Sequence, residues 1–158
     1  IAFSAISGVL GTVLAGWLSD RVFKGDRVKP AVLSGILGTL SLILFLFVGG
    51  GFVLNIFYVS LFSLATGVLY CIVAGLMAVD IVPRKATGAA LGVVGISSYV
   101  AAGIQDIASG YLIQGFTDQV GGVDVYDFGP VSWFWVAAAV ISFVLPVLNW
   151  KKMTLKKV

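Results

Sequence analysis

Of 158 residues, 59% are apolar and 11% charged, with a mean hydropathy of +1.09, whereas soluble domains carry roughly 25% charge; a soluble globular fold is excluded and an integral membrane protein implied. The sequence has no His, one Cys (Cys71) and no Glu, which removes a His-based metal site, a Ser-His-Asp triad, a CxxC redox pair and a disulfide; no catalytic residue, metal or cofactor is expected, nor an enzyme. The net charge of +3 does not point to nucleic acid, because every base lies beside an apolar run, where membrane topology accounts for it.

Five runs approach or exceed the roughly 20 residues that cross a bilayer as a helix. The first covers residues 1–18, with Ser4, Gly8, Thr12 and Gly16 at every fourth position. Such small-residue stripes let membrane helices approach closely where lipid supplies no hydrophobic drive. A polar loop with Arg21, Lys24, Arg27 and Lys29 follows. The second run, 30–48, opens on Pro30 and carries Ser34, Gly38 and Ser41 at helical spacing; three glycines (Gly49, Gly50, Gly51) lead into the third, 52–79, with Ser60, Ser63, Gly67, Ala74, Ala78 and Tyr70. Arg84 and Lys85 precede the fourth, 86–115. Here Gly88, Gly92, Gly95, Tyr99, Gly103, Asp106 and Gly110 recur every three or four residues, which puts all seven on one helix face. A loop over 116–129 with Asp118, Asp124 and Asp127 leads to the fifth run, 130–150. Pro146 is expected to bend that last helix.

All ten Lys and Arg residues fall in alternate loops and the C-terminal tail, whose bases are Lys151, Lys152, Lys156 and Lys157; the other two loops hold none. Because bases accumulate on the cytosolic side, the N-terminus is expected outside and the C-terminus in the cytoplasm, in a multi-pass protein of the cell inner (plasma) membrane. Trp17 and Trp150 at one boundary and Trp133 and Trp135 at the other suit the two interfaces. The first run starts at Ile1 without a polar flank, and at least one further helix is expected upstream.

The polar residues inside the runs are the candidate cavity residues. An ionised Asp deep in a membrane costs at least about 2.5 kcal/mol, so Asp106 is expected to face a bundle interior or a watery cavity. No Lys or Arg lies in any run, so a counter-charge would come from outside this chain; a protonated state or a hydrogen bond to Ser109 is the alternative. Gln105 is its neighbour, Tyr99 offers a hydroxyl on the same stripe, and Tyr70 is a further candidate in the third run, with packing as the alternative for each.

The loop Gly16 to Arg27 reads GWLSDRVFKGDR, with Gly16, Asp20, Arg21, Gly25 and Arg27 at fixed spacing. This resembles the G-x-x-x-D-R-x-x-x-G-x-R signature of the major facilitator superfamily. The segments DIVPRKATG (Asp80 to Gly88) and GVVGISSY (Gly92 to Tyr99) are similar to the organophosphate:inorganic phosphate antiporters within it, which include glycerol-3-phosphate and hexose-phosphate transporters. The resemblance implies an all-α transmembrane helical bundle, part of a major facilitator fold, with the five spans as helices eight to twelve of a C-terminal six-helix half. It further implies exchange of an organophosphate for inorganic phosphate by alternating access, with a membrane receptor for hexose phosphate as the alternative. Implied partners are membrane lipid, a small anionic substrate and the N-terminal half of the same protein. Tyr99 would line the cavity, and Asp20 would hold one conformation by pairing across the boundary between halves. The phosphate-binding arginines would lie in helices this chain lacks. Two departures stand out: Tyr70-Cys71-Ile72 replaces a common Gly-Pro, and Gln105-Asp106 belongs to no general pattern of the family.

Overall fold

The computed structural model describes residues 2–120 and 123–148. The side chain of Pro146 and the residues Trp150, Lys151, Lys152, Lys156 and Lys157 lie outside what it describes. Within it the expected spans are helices: α1 (Ala2–Val22), α2 (Val28–Val48), α3 (Phe52–Asp80), α4 (Arg84–Gly115) and α5 (Gly129–Leu148). The first four are long and apolar enough to cross a membrane. At 1.5 Å per residue the 20 residues of α5 reach about 30 Å, the thickness of the hydrocarbon core. The molecule is thus a helical transmembrane bundle.

Helices α1 and α2 end in π-type turns, Leu18–Val22 and Leu44–Val48, and α3 contains a π-helical stretch, Cys71–Met77, before its last turn, a widening that spacing along an apolar run does not reveal. The connections depend on backbone that Gly adopts cheaply. Gly49 (φ +62°) and Gly50 (φ +150°) make the α2–α3 turn, and a Cβ on Gly50 would also strike the Leu54 side chain. Between α1 and α2 the chain reverses at Lys24 (φ +52°) and Gly25 (φ +83°), with Gly25 N–H donating to the Ser19 carbonyl at 2.8 Å.

Helix α3 packs between α1 and α2, and α2 packs in turn against α5. A core of Ala15, Ala31, Val68 and Ile72 fills the junction of the first three helices. The small residues set the spacing there. A Cβ on Gly11 would overlap the Leu64 carbonyl and one on Gly67 the Gly8 carbonyl, so α1 and α3 meet backbone to backbone. A Cβ on Gly35 would strike Phe143 of α5. The buried hydroxyls of α2 stay within their own helix: Ser34 donates to the Pro30 carbonyl, Thr39 to Gly35 and Ser41 to Leu37, at 2.7–2.9 Å. Their value to packing is their small size.

Helix α4 stands apart. It touches α5 and the last turns of α3, and none of its residues from Thr87 to Gly115 is buried. Trp135 Nε1 of α5 donates to Ser109 Oγ at 3.0 Å, which ties the C-terminal part of α4 to the bundle.

The stretch after α4, which hydropathy reads only as a loop, holds an antiparallel hairpin. Strand β1 (Thr117–Val120) pairs with β2 (Val123–Tyr126) in the register Thr117 to Tyr126 and Gln119 to Asp124. The Gly-Gly pair at 121 and 122, followed by the alternation of Val123 and Val125, is the sequence signal for it. Asp127 Oδ1 then accepts from Gly129 N–H at 2.8 Å and closes the first turn of α5.

Candidate functional site

Two places gather the residues that the sequence singles out. The first is the basic end of the bundle, where α1, α2 and α3 terminate. The π-type turn at the end of α1 carries Ser19, Asp20 and Arg21, and the left-handed turn at Lys24 and Gly25 returns the chain so that Arg27 immediately precedes α2. Arg27 Nη1 lies 2.6 Å from Asp20 Oδ1 and 2.7 Å from Ser19 Oγ, while Nε lies 3.1 Å from Asp80 Oδ2 at the end of α3. One planar guanidinium therefore joins three helix ends.

The Arg27 side chain is 20% exposed. Burial alone would lower its pKa, but the bonds and charges of Asp80 and then Asp20 outweigh that and hold it above the ordinary arginine value. Asp26 serves α2 instead: its Oδ1 accepts from the Val28 and Lys29 backbone N–H groups at 3.0 and 3.4 Å, and its Oδ2 pairs with Lys29 at 3.3 Å. Asp80 and Ser19 are not among the site residues expected from the sequence. A signal for Asp80 is present there, because an acid closing the third apolar run at the basic end has nearby bases to meet. Gly16 has nothing within 4 Å of where a Cβ would stand, so close helix crossing does not account for it.

The second place is α4. Tyr99 is 83% exposed, Asp106 is exposed, and both share a face with Gly88, Gly92, Gly95, Gly103 and Gly110, at each of which a Cβ would find nothing within 4 Å. Among the described residues nothing packs on this face, and Asp106 has no hydrogen bond or ion pair; Ser109, one turn on, is engaged by Trp135. Gln105 diverges from its neighbour. It lines a separate cleft of about 400 Å³ against α2, α3 and α5, with Phe62, Trp135 and Ser142. Tyr70 is exposed where α3 enters its π-type turn and joins neither group. The structure thus brings Tyr99 and Asp106 to one face and leaves Gln105 and Tyr70 apart. Among the described residues no group of three or more acidic or Cys side chains could hold a metal.

No family model matches the chain, and no solved structure does. Curated relatives do. The chain is 30% identical over 146 residues to the glycerol-3-phosphate transporter of Bacillus subtilis, covering 91% of this chain and 30% of that one. It is 32% identical over 97 residues to the phosphoglycerate transporter protein of Salmonella typhimurium, 60% of this chain and 20% of that one. A glycerol-3-phosphate transporter of Haemophilus influenzae matches at 30% identity, again over 60% of this chain. The chain spans less than a third of the length of these relatives. With its long apolar helices and the loop motif at their basic end, the chain is similar to these transporters of glycerol-3-phosphate and phosphoglycerate.

Proposed function

We propose that this chain is the larger part of the C-terminal half of a transporter that exchanges an organophosphate, such as glycerol phosphate or a sugar phosphate, for inorganic phosphate by alternating access. The observation that carries the reading is the 30% identity that runs through 91% of the chain to a transporter named for glycerol-3-phosphate. The open face of α4 supports it. Its glycines, Tyr99 and Asp106 have no partner among the described residues, as expected of a face that borders a path between two halves.

The chemistry assigns different roles to the two places. A phosphate needs bases, and the described helices offer none on the α4 face, so the phosphate is met by groups from the rest of the transporter. A carboxylate repels phosphate and accepts hydrogen bonds from hydroxyls. Asp106 therefore receives the hydroxyls of the organic substrate, away from its phosphate, and the Tyr99 hydroxyl borders the same path. At the basic end, the Arg27 junction holds α1, α2 and α3 as one body that rocks as a unit.

The test is exchange by the complete transporter in phosphate-loaded vesicles. External glycerol phosphate is expected to release labelled phosphate; no release, with the protein folded and inserted, contradicts antiport. In Asp106→Asn, phosphate self-exchange is expected to persist while the KM for glycerol phosphate rises about tenfold, the loss of a hydrogen bond to a charged group. Equal loss of both exchanges removes the hydroxyl role.

A further inference from the structure

Charge at the basic end does not balance, and the imbalance is localised. The end of α1, the loop after it and the start of α2, with the end of α3 and the first turn of α4, together hold six bases (Arg21, Lys24, Arg27, Lys29, Arg84, Lys85) and three acids (Asp20, Asp26, Asp80). Asp20 and Asp80 both pair with Arg27, and Asp26 pairs with Lys29, so all three acids are taken up by two bases. Arg21, Lys24, Arg84 and Lys85 are exposed and make no ion pair or side-chain hydrogen bond among the described residues. The fold itself has no use for the last two. They stand at the amino end of α4, where the helix dipole repels cations. The Arg27–Asp80 bond holds the two loops side by side, so four unpaired cations share one end of the bundle.

The surroundings of these bases are apolar. Trp17, Val22 and Ile81 lie exposed beside them, at 55%, 49% and 63%. A free anion gains nothing from such a rim, whereas a phospholipid meets it with the glycerol and upper acyl region while its phosphate meets the bases. We propose that Arg21, Lys24, Arg84 and Lys85 form a binding site for the phosphate group of an anionic phospholipid in the leaflet at the basic end of the bundle.

The site is tested in nanodiscs of mixed phosphatidylcholine and phosphatidylglycerol, with the lipids retained by the protein counted by native mass spectrometry. The protein is expected to keep phosphatidylglycerol in preference. Each neutralised base lowers that preference about fivefold, since a base near a charged leaflet contributes about 1 kcal/mol. R21Q/K24Q/R84Q/K85Q is therefore expected to lower it by well over tenfold, whereas Lys29→Gln, which removes a base already matched by Asp26, changes it less than twofold. Nanodiscs expose both faces, so an inverted insertion gives the same reading. If the fourfold variant loses its helical circular dichroism, the pairs R21Q/K24Q and R84Q/K85Q serve in its place, each with a loss of about twenty-five-fold. Unchanged retention in folded variants overturns the proposal. Displacement of the lipid from the parent protein by inorganic phosphate also overturns it, because the patch then takes a soluble anion.

Discussion

Arg27 shows how much one side chain organises here. Its fork reaches Asp20 on one arm and Asp80 on the other, and the two partners come from different helices, α1 and α3. Both carboxylates are about half exposed or more, so solvent screening keeps each bond at the modest level of surface pairs. Arg27→Ala is expected to cost about 1 kcal/mol in detergent unfolding, and a double-mutant cycle with Asp80→Ala to show coupling of about 0.5 to 1 kcal/mol; additive effects would mean that the pair is not formed. The sign of the pH dependence follows from the raised Arg27 pKa: its contribution is fully present below the ordinary arginine value and is lost only in strong alkali. Over neutral pH the junction is therefore expected to be insensitive to pH. At this scale the loop motif is legible in the sequence, since Asp20, Arg21, Gly25 and Arg27 sit at motif spacing. The pairing of Asp20 with Arg27, seven residues away, is not. Spacing shows which residues share a loop but not which carboxylate a flexible guanidinium selects.

Among the helices, glycine has two distinct uses. In α1 and α3 it brings backbones into contact, at Gly11 against Leu64 and Gly67 against Gly8; in α4 it leaves open space. The same substitution should therefore act differently in each. Gly11→Val is expected to force α1 from α3 and to cost about 1 to 3 kcal/mol, the range for overpacking. Gly103→Val in this chain should leave unfolding unchanged or slightly favour the helix, because a Cβ there meets nothing. Comparable losses in both would show that the α4 face is covered. The small-residue stripes are readable as helix faces, and Gly8, Gly67 and Gly38 do sit at contacts. Gly11 and Gly35 are among the tightest positions; Gly11 shares the face of Ser4 and Gly8 and Gly35 lies off the α2 stripe, because periodicity identifies a face but not the depth at which two helices cross. Gln105 and Asp106 are adjacent in sequence, yet a helix turns about 100° per residue and sends them to different surroundings.

For the molecule as a whole, the alternation of basic and base-free loops matches the order of the helices, which is why the spans can be read with boundaries close to those observed. The hairpin after α4 and the π-type stretches cannot, since both depend on backbone pairing that hydropathy ignores. Both the transport reading and the lipid site require the helices to cross a bilayer with Arg21 to Lys29 and Arg84 to Lys85 on one side and the hairpin on the other. Single cysteines at Lys24, Arg84 and Asp118, in a Cys71→Ser background, test this by labelling with a membrane-impermeant reagent in right-side-out and inverted vesicles. Lys24→Cys and Arg84→Cys are expected to react together in one orientation and Asp118→Cys only in the other. Labelling of Lys24→Cys and Asp118→Cys from the same side would overturn that arrangement.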